Sequence, residues 1–295
     1  MLQYLAYLVL ARLAPVAPPA VAYRVCDLLG DLLFIVLRRR RSTVLRNLSI
    51  VVRKSQPEVE SLARDTFRQG VRYYYDTFRV PALSDEDIDL LVEFEGLEVL
   101  DQVLARGKGL ILLTAHFGSP ALVVQAIAAR GHRITTVAEP VKPERLFNLI
   151  NGARGRRGIR LLPLGPSSFR DLSAVLARNE IVGIVGDRDL QGTGVPVKLF
   201  GAETRLPAGP ALLALRSGAA IVPAFSLRMP GGRFAGYVEE PIEMTRTGDL
   251  KRDVQINSEQ LAAVFERAIS RHPEQWIVFE PIWHGQEDGA RGVPA

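Results

Sequence analysis

From Gly107 onward, short apolar runs alternate with stretches of helical spacing, and that alternation leaves few folds open to the chain. The runs are Leu110–Thr114, Ile134–Val137, Ile159–Leu162, Ile181–Val185 and Ile221–Phe225. Between them lie Ala121–Ala129, Glu144–Arg154, Ser168–Arg178 and Pro207–Ser217. Apolar runs without polar alternation predict strands buried on both faces, which calls for an α/β fold: a mostly parallel central sheet flanked by helices. A later helix over about Ser258–Arg271 precedes a last apolar run, Trp276–Phe279. Upstream, Val59, Leu62, Phe67, Val71, Tyr75 and Phe78 recur at helical spacing and predict an amphipathic helix from Pro57 to about Val80. No repeat, low-complexity tract or linker divides residues 55–295, so they read as one integrated α/β domain.

The first 54 residues read differently. Met1–Ala11 and Leu13–Tyr23 are uncharged, but Arg12, Arg24, Asp27 and Asp31 interrupt the apolar stretch. A bilayer-spanning helix needs about 20 mostly apolar residues, so neither run predicts a span. No basic residue precedes the first run, so it does not read as a secretory signal. Two readings follow from the residues. One is a buried helical pair packed on the main domain, with Arg38–Arg41 as a solvated turn. The other is an interfacial platform, with apolar helices in a membrane surface and the arginines on lipid phosphates.

Charge supports a division at this point. The net charge is +5 over 295 residues. Residues 1–54 hold nine basic and two acidic side chains, so the remainder sums to −2. Nucleic-acid binding is therefore not expected of the main domain, and the arginines of Asn151–Gly158 lack interleaved aromatics for base stacking. Hydrophobic residues at 47% and charged residues at 23% exclude disorder as the main state. The single cysteine, Cys26, excludes an internal disulfide and suits a reducing compartment.

Open parallel sheets bind ligands at the carboxyl ends of their strands. The first strand runs into Ala115-His116-Phe117-Gly118-Ser119-Pro120, with Ser119 placed as an N-cap and Pro120 at the first helical position. His116 thus falls between a strand end and a helix N-terminus, where a histidine can act as general base or simply be structural. The run Ile181–Val185 leads into Gly186-Asp187-Arg188-Asp189. As a calcium loop it fails, with Gln191 at the fifth position and Lys198 at the twelfth. Its carboxylates can orient His116 or serve as loop caps. The stretch Asn151–Gly158 lacks a phosphate-loop lysine pattern but supplies guanidinium groups for a phosphate-bearing carrier such as coenzyme A. No Gly-x-Ser-x-Gly elbow is present, which argues against a covalent serine mechanism.

With these residues assembled, the sequence resembles the bacterial lysophospholipid acyltransferase superfamily, in the branch of the lipid A and phosphatidylinositol mannoside acyltransferases. In order, the resemblance rests on Arg38–Arg41 with Asn47-Leu48, and on Glu95-Gly96-Leu97-Glu98 ahead of Gly107-Lys108-Gly109. Ala115-His116-Phe117-Gly118 and Asp187-Arg188-Asp189-Leu190 follow. Phe200-Gly201, Leu206–Ala211 and His272-Pro273-Glu274-Gln275-Trp276 complete it.

The resemblance implies acyl transfer from acyl-CoA or acyl carrier protein to a hydroxyl of a membrane glycolipid or lysophospholipid, with His116 as base. It further implies an acyl-chain tunnel, an anionic membrane surface as partner, and a monotopic placement on the cytoplasmic face of the bacterial inner membrane. No resident cofactor or metal is expected. One departure stands out. The family pattern puts Asp or Glu five residues after the histidine, where this chain has Ala121. Asp187 is the residue expected to take over orientation of His116, with Asp189 as the substitute. Arg154 matches the basic residue that meets the thioester carrier, and Gly118 is assigned to the oxyanion region. The alternative that Ala121 motivates is a degenerate member that binds lipid without turnover.

Overall fold

Of the four charged residues that interrupt the apolar N-terminus, Asp27 and Asp31 face a long helix, whereas Arg12 and Arg24 are exposed. The computed structural model describes residues 2–140, 142–189 and 192–283. Five helices come first: α1 (Leu2–Leu13), α2 (Pro19–Val36), α3 (Arg38–Val51), α4 (Gln56–Arg79) and α5 (Asp85–Leu91). A capping box between Ser55 and Glu58 starts α4. Its buried stripe (Val59, Ala63, Phe67, Gly70 and on to Phe78) follows the predicted helical spacing. Ala22, Cys26, Gly30 and Phe34, four residues apart, form the buried stripe of α2. Gly30 lets α2 approach α4 closely, since a Cβ there would lie 2.6 Å from the Arg68 Cα.

Bidentate ion pairs join Asp27 to Arg72 and Asp31 to Arg64 and Arg68. With those two carboxylates neutralised against α4, the other face of α2 is mostly aliphatic, with the exposed Arg24 among its side chains. Val21, Val25, Leu28, Leu32 and Ile35 stand between 49% and 70% exposed. Arg38–Arg41 form the first turn of helix α3 rather than a connecting turn, with Arg38, Arg39 and Arg40 exposed. Among the described residues, no helix is long and apolar enough to cross a membrane.

The sheet region then unfolds as β1 (Val92–Glu95), α6 (Glu98–Leu104), β2 (Leu110–Thr114), α7 (Pro120–Ala129), β3 (Ile134–Ala138), α8 (Glu144–Arg154) and β4 (Arg160–Pro163). There follow α9 (Ser168–Ala177), β5 (Ile181–Val185), β6 (Val195–Leu199), β7 (Ala202–Leu206), α10 (Gly209–Ser217), β8 (Ala220–Arg228), β9 (Phe234–Val238) and α11 (Leu250–Arg271). Seven strands form one sheet in the order β1-β9-β8-β2-β5-β3-β4, parallel throughout except for the β8–β9 pair. The expected α/β architecture is thus present. β2 is buried along its whole length, as a strand covered on both faces must be.

Some elements differ from expectation. β1 and the β6–β7 hairpin carry too few apolar residues to stand out as runs, and the short β9 is interrupted by Gly236. α11 begins earlier than predicted because Asp249 caps it, accepting from the Lys251 and Arg252 N–H groups. Ser119 precedes α7, but its hydroxyl makes no cap hydrogen bond. Trp276–Phe279 forms no strand and pairs only through a bridge between Trp276 and Phe117.

Candidate active site

Register explains why two residues 71 positions apart meet. β2 and β5 are parallel neighbours with Thr114 opposite Val185. His116 and Asp187, each two residues further on, therefore leave the sheet side by side at its carboxyl edge. His116 Nδ1 lies 2.7 Å from Asp187 Oδ1, and the His116 backbone N–H donates to Oδ2 at 3.1 Å. Trp276 Nε1 donates to the same Oδ2 at 2.8 Å. The Asp187 side chain is 0% exposed, whereas that of His116 is 31% exposed. An ionised carboxylate only accepts, so the ring gives Nδ1–H to Asp187 and keeps the Nε2 lone pair for other work.

Burial by itself pushes the Asp187 carboxyl up. The facing His116 ring and the His116 and Trp276 donors outweigh it and hold the group below the ordinary carboxylate range. Trp276 was legible only as part of a motif, and its partner in space was not. The segment carrying it folds back along the histidine turn: the Ile277 N–H donates to His116 O at 2.7 Å, and the Gly118 N–H to Gln275 O at 2.9 Å.

This arrangement predicts an acid-stability effect. A depressed carboxyl stabilises the fold above the ordinary carboxylate range, and that contribution is lost as pH falls through the depressed value. Trp276→Phe removes one donor while keeping an aromatic ring, so the Asp187 value rises and acid unfolding starts at higher pH. A hydrogen bond to a charged group is worth about 1.5–3 kcal/mol, the loss expected at neutral pH. Thermal melts of both proteins across the acid range check the sign.

The other two expected residues make different contacts. Asp189 does not reach His116. Its carboxylate accepts from the Gly192 and Gly194 N–H groups at 3.1 and 2.7 Å, shaping the loop that leads to β6. Leu190 and Gln191 of that run lie outside the described residues. The Gly118 N–H is already engaged by Gln275, so it is no free oxyanion donor; the residue's contribution is shape. Its φ is +62°, and a Cβ would lie 2.1 Å from Ser226 O, so glycine alone closes this turn.

Between α7 and the sheet lies an apolar cavity of about 750 Å³, its open mouth included. Thr114 and Pro120, on either side of the histidine turn, form part of its wall, and so does Ala121. His116 itself is not among the lining residues. Arg154 and Tyr73 supply polar groups to the same wall, with Arg154 Nη2 donating to the Tyr73 hydroxyl at 2.7 Å. The buried Arg154 Nε has no hydrogen-bond partner among the described residues. Arg157, by contrast, is committed to structure through Asp85, Gln125 and the Leu83 carbonyl.

A mostly parallel α/β sheet carrying a histidine–carboxylate pair at its carboxyl edge, with an apolar cavity alongside, is an arrangement that can support base-assisted chemistry on an apolar substrate. The chain belongs to the bacterial lipid A biosynthesis acyltransferases, whose family model matches residues 1–285. The resemblance read from the motifs is borne out, and the chain is an acyltransferase. It is 34% identical over 217 residues to the phosphatidylinositol mannoside acyltransferase of Mycobacterium tuberculosis H37Rv, covering 72% of this chain and 67% of that one. The phosphatidylinositol mannoside acyltransferase of Mycolicibacterium smegmatis is 31% identical over 242 residues, covering 81% and 78%.

Proposed function

We propose that the protein moves a fatty acyl group from a thioester donor, acyl-CoA ahead of acyl carrier protein, to a hydroxyl of a membrane glycolipid. The observation that carries this reading is the 2.7 Å pair of His116 with a fully buried, ionised Asp187, on a turn whose flanking Thr114 and Pro120 line an apolar cavity. His116 Nε2 takes the acceptor's hydroxyl proton as its oxygen attacks the thioester carbonyl carbon. The tetrahedral intermediate collapses with cleavage of the C–S bond. The departing sulfur receives the proton from the imidazolium, which Asp187 stabilises in the meantime. The new ester and a free thiol balance the step. The acyl chain occupies the cavity, and Arg154 meets the carrier's phosphates.

The acceptor class follows from the named substrates of the relatives, which are mannosylated phosphatidylinositol lipids. Asp187 supplies the carboxylate that Ala121 lacks, so turnover is favoured over lipid binding alone. The test supplies labelled palmitoyl thioesters, on CoA and on acyl carrier protein, with a mycobacterial glycolipid extract. Label in a glycolipid ester, with CoA the faster donor, is the expected outcome. Label that remains entirely in thioester and free acid would sink the proposal.

The exposed aliphatic face of α2, continuous with Arg38 and Arg39 at the start of α3, forms the membrane contact on the cytoplasmic side of the inner membrane. Leu28→Asp with Leu32→Asp should cut sedimentation with phosphatidylglycerol vesicles by tenfold or more, since two apolar side chains are replaced by charge at the interface. Arg38→Glu with Arg39→Glu should weaken it most at low salt, each basic residue near an anionic surface being worth about 1 kcal/mol. Binding that ignores both pairs of changes would refute the platform.

A further inference from the structure

We infer that Gly183 sets the length of acyl chain this enzyme accepts; the inference rests on the acyl-transfer reading and deepens it. Gly183 sits in the middle of β5, opposite Leu112 of β2 on one side and Thr136 of β3 on the other. Thr136 is in turn opposite Leu161 of β4. Partners opposite one another in parallel strands share a face, so these residues form one row across four strands, and all of them line the cavity. At about 4.8 Å per strand, the row runs for roughly 14 Å. In its middle the side chain is missing.

The backbone does not ask for glycine here. Gly183 is outside the left-handed region, and no main-chain atom stands within 4 Å among the nearest neighbours of a Cβ built at this position. The closest would be the Thr136 Cγ2 methyl at 2.9 Å, with Ile134 Cγ2 and Thr136 Cβ at 3.8 Å. Glycine inside a strand weakens it and marks a place where something else comes close to the backbone. The flanking Ile181, Val182 and Ile184 have the branched side chains that such a strand prefers. The exception falls where the strand crosses the cavity, and Ala121 on α7 adds a second small residue to the lining. The Thr136 methyl already takes part of the space above Gly183, so the trough between Leu112 and Thr136 is narrow, and a side chain at 183 would close what remains of it to an acyl chain.

The experiment measures kcat/KM for thiol release over saturated thioesters from octanoyl to stearoyl, on both CoA and acyl carrier protein. Gly183→Ala, Gly183→Val and Thr136→Ala are compared with the wild type, with thermal melts to establish folding. Gly183→Val should shift the optimum to shorter chains, lowering the stearoyl-to-octanoyl ratio by about tenfold or more, the discrimination one methylene commonly gives in an apolar pocket. Gly183→Ala should do so to a smaller degree. Thr136→Ala widens the same row without adding bulk, so its ratio should move the other way. Folded Gly183→Ala and Thr136→Ala proteins with the wild-type chain-length profile would overturn the assignment while leaving acyl transfer intact. A wild type that turns over no thioester on either carrier would overturn both.

Discussion

His116→Ala is expected to slow thiol release from palmitoyl-CoA by about 10²–10⁴-fold, with little change in thermal stability. The size follows from the role proposed for the side chain. A neutral hydroxyl is a poor nucleophile, and removing its proton as it attacks is the contribution of a positioned base. The small stability effect follows from geometry. The imidazole is about one-third exposed, and Asp187 keeps two donors without it, the backbone N–H of residue 116 and Trp276 Nε1. Initial rates by thiol capture, alongside melts of both proteins, check the two parts together. A variant that loses stability in step with rate would mean that His116 holds the fold and not the reaction.

The largest stability effect is expected far from the proton transfer, at Asp76. Its Oδ2 accepts from Arg228 Nη2 at 2.5 Å, and the two side chains are 1% and 4% exposed. Tyr23 donates to the other oxygen at 2.8 Å, and Gln69 Oε1 accepts from Arg228 Nε at 2.9 Å. The guanidinium lies 4.6 Å from the Phe234 ring centre. Burial, the largest influence, lowers the Arg228 value, yet Asp76 and Tyr23 more than offset it, and the group is held above its ordinary value. This cluster ties α2 and α4 to the end of β8.

Asp76→Ala leaves the buried cation unpaired, which costs about 3–5 kcal/mol. That is a large part of the 5–15 kcal/mol typical of a whole domain. Urea unfolding of Asp76→Ala should show the loss. Asp76→Leu combined with Arg228→Met should recover much of it, because no bare charge remains. A loss below about 1 kcal/mol in Asp76→Ala would show that the pair is hydrated and contributes little.

How much of this was open to a sequence reader varies by residue. The strands β2 and β5 announced themselves as unbroken apolar runs, and His116 and Asp187 stood just past their ends. That the two strands are neighbours was not legible, because β3 and β4 intervene in the chain and β5 is inserted between β2 and β3. Ala121 pointed to a carboxylate from elsewhere, and the register of Thr114 with Val185 places Asp187 beside His116. Trp276 lies 89 residues from the aspartate it donates to, and no spacing rule reaches across that distance. The N-terminal charges were visible as interruptions. Only the packing of α2 on α4 reveals that Asp27 and Asp31 face inward and leave aliphatic side chains outside. Gly183 looked like one more residue of an apolar run until its neighbours on both sides were known.

The central claim is that Asp187, not a residue at position 121, completes the base. Its most direct test is the initial rate of thiol release from palmitoyl-CoA by Asp187→Asn beside the wild type, in the presence of glycolipid acceptor. The amide keeps the size of the side chain but no longer stabilises the imidazolium, so a fall of about 10²-fold or more is predicted. A rate within a few-fold of the wild type, in a protein that melts normally, would contradict the account and leave His116 without the partner assigned to it.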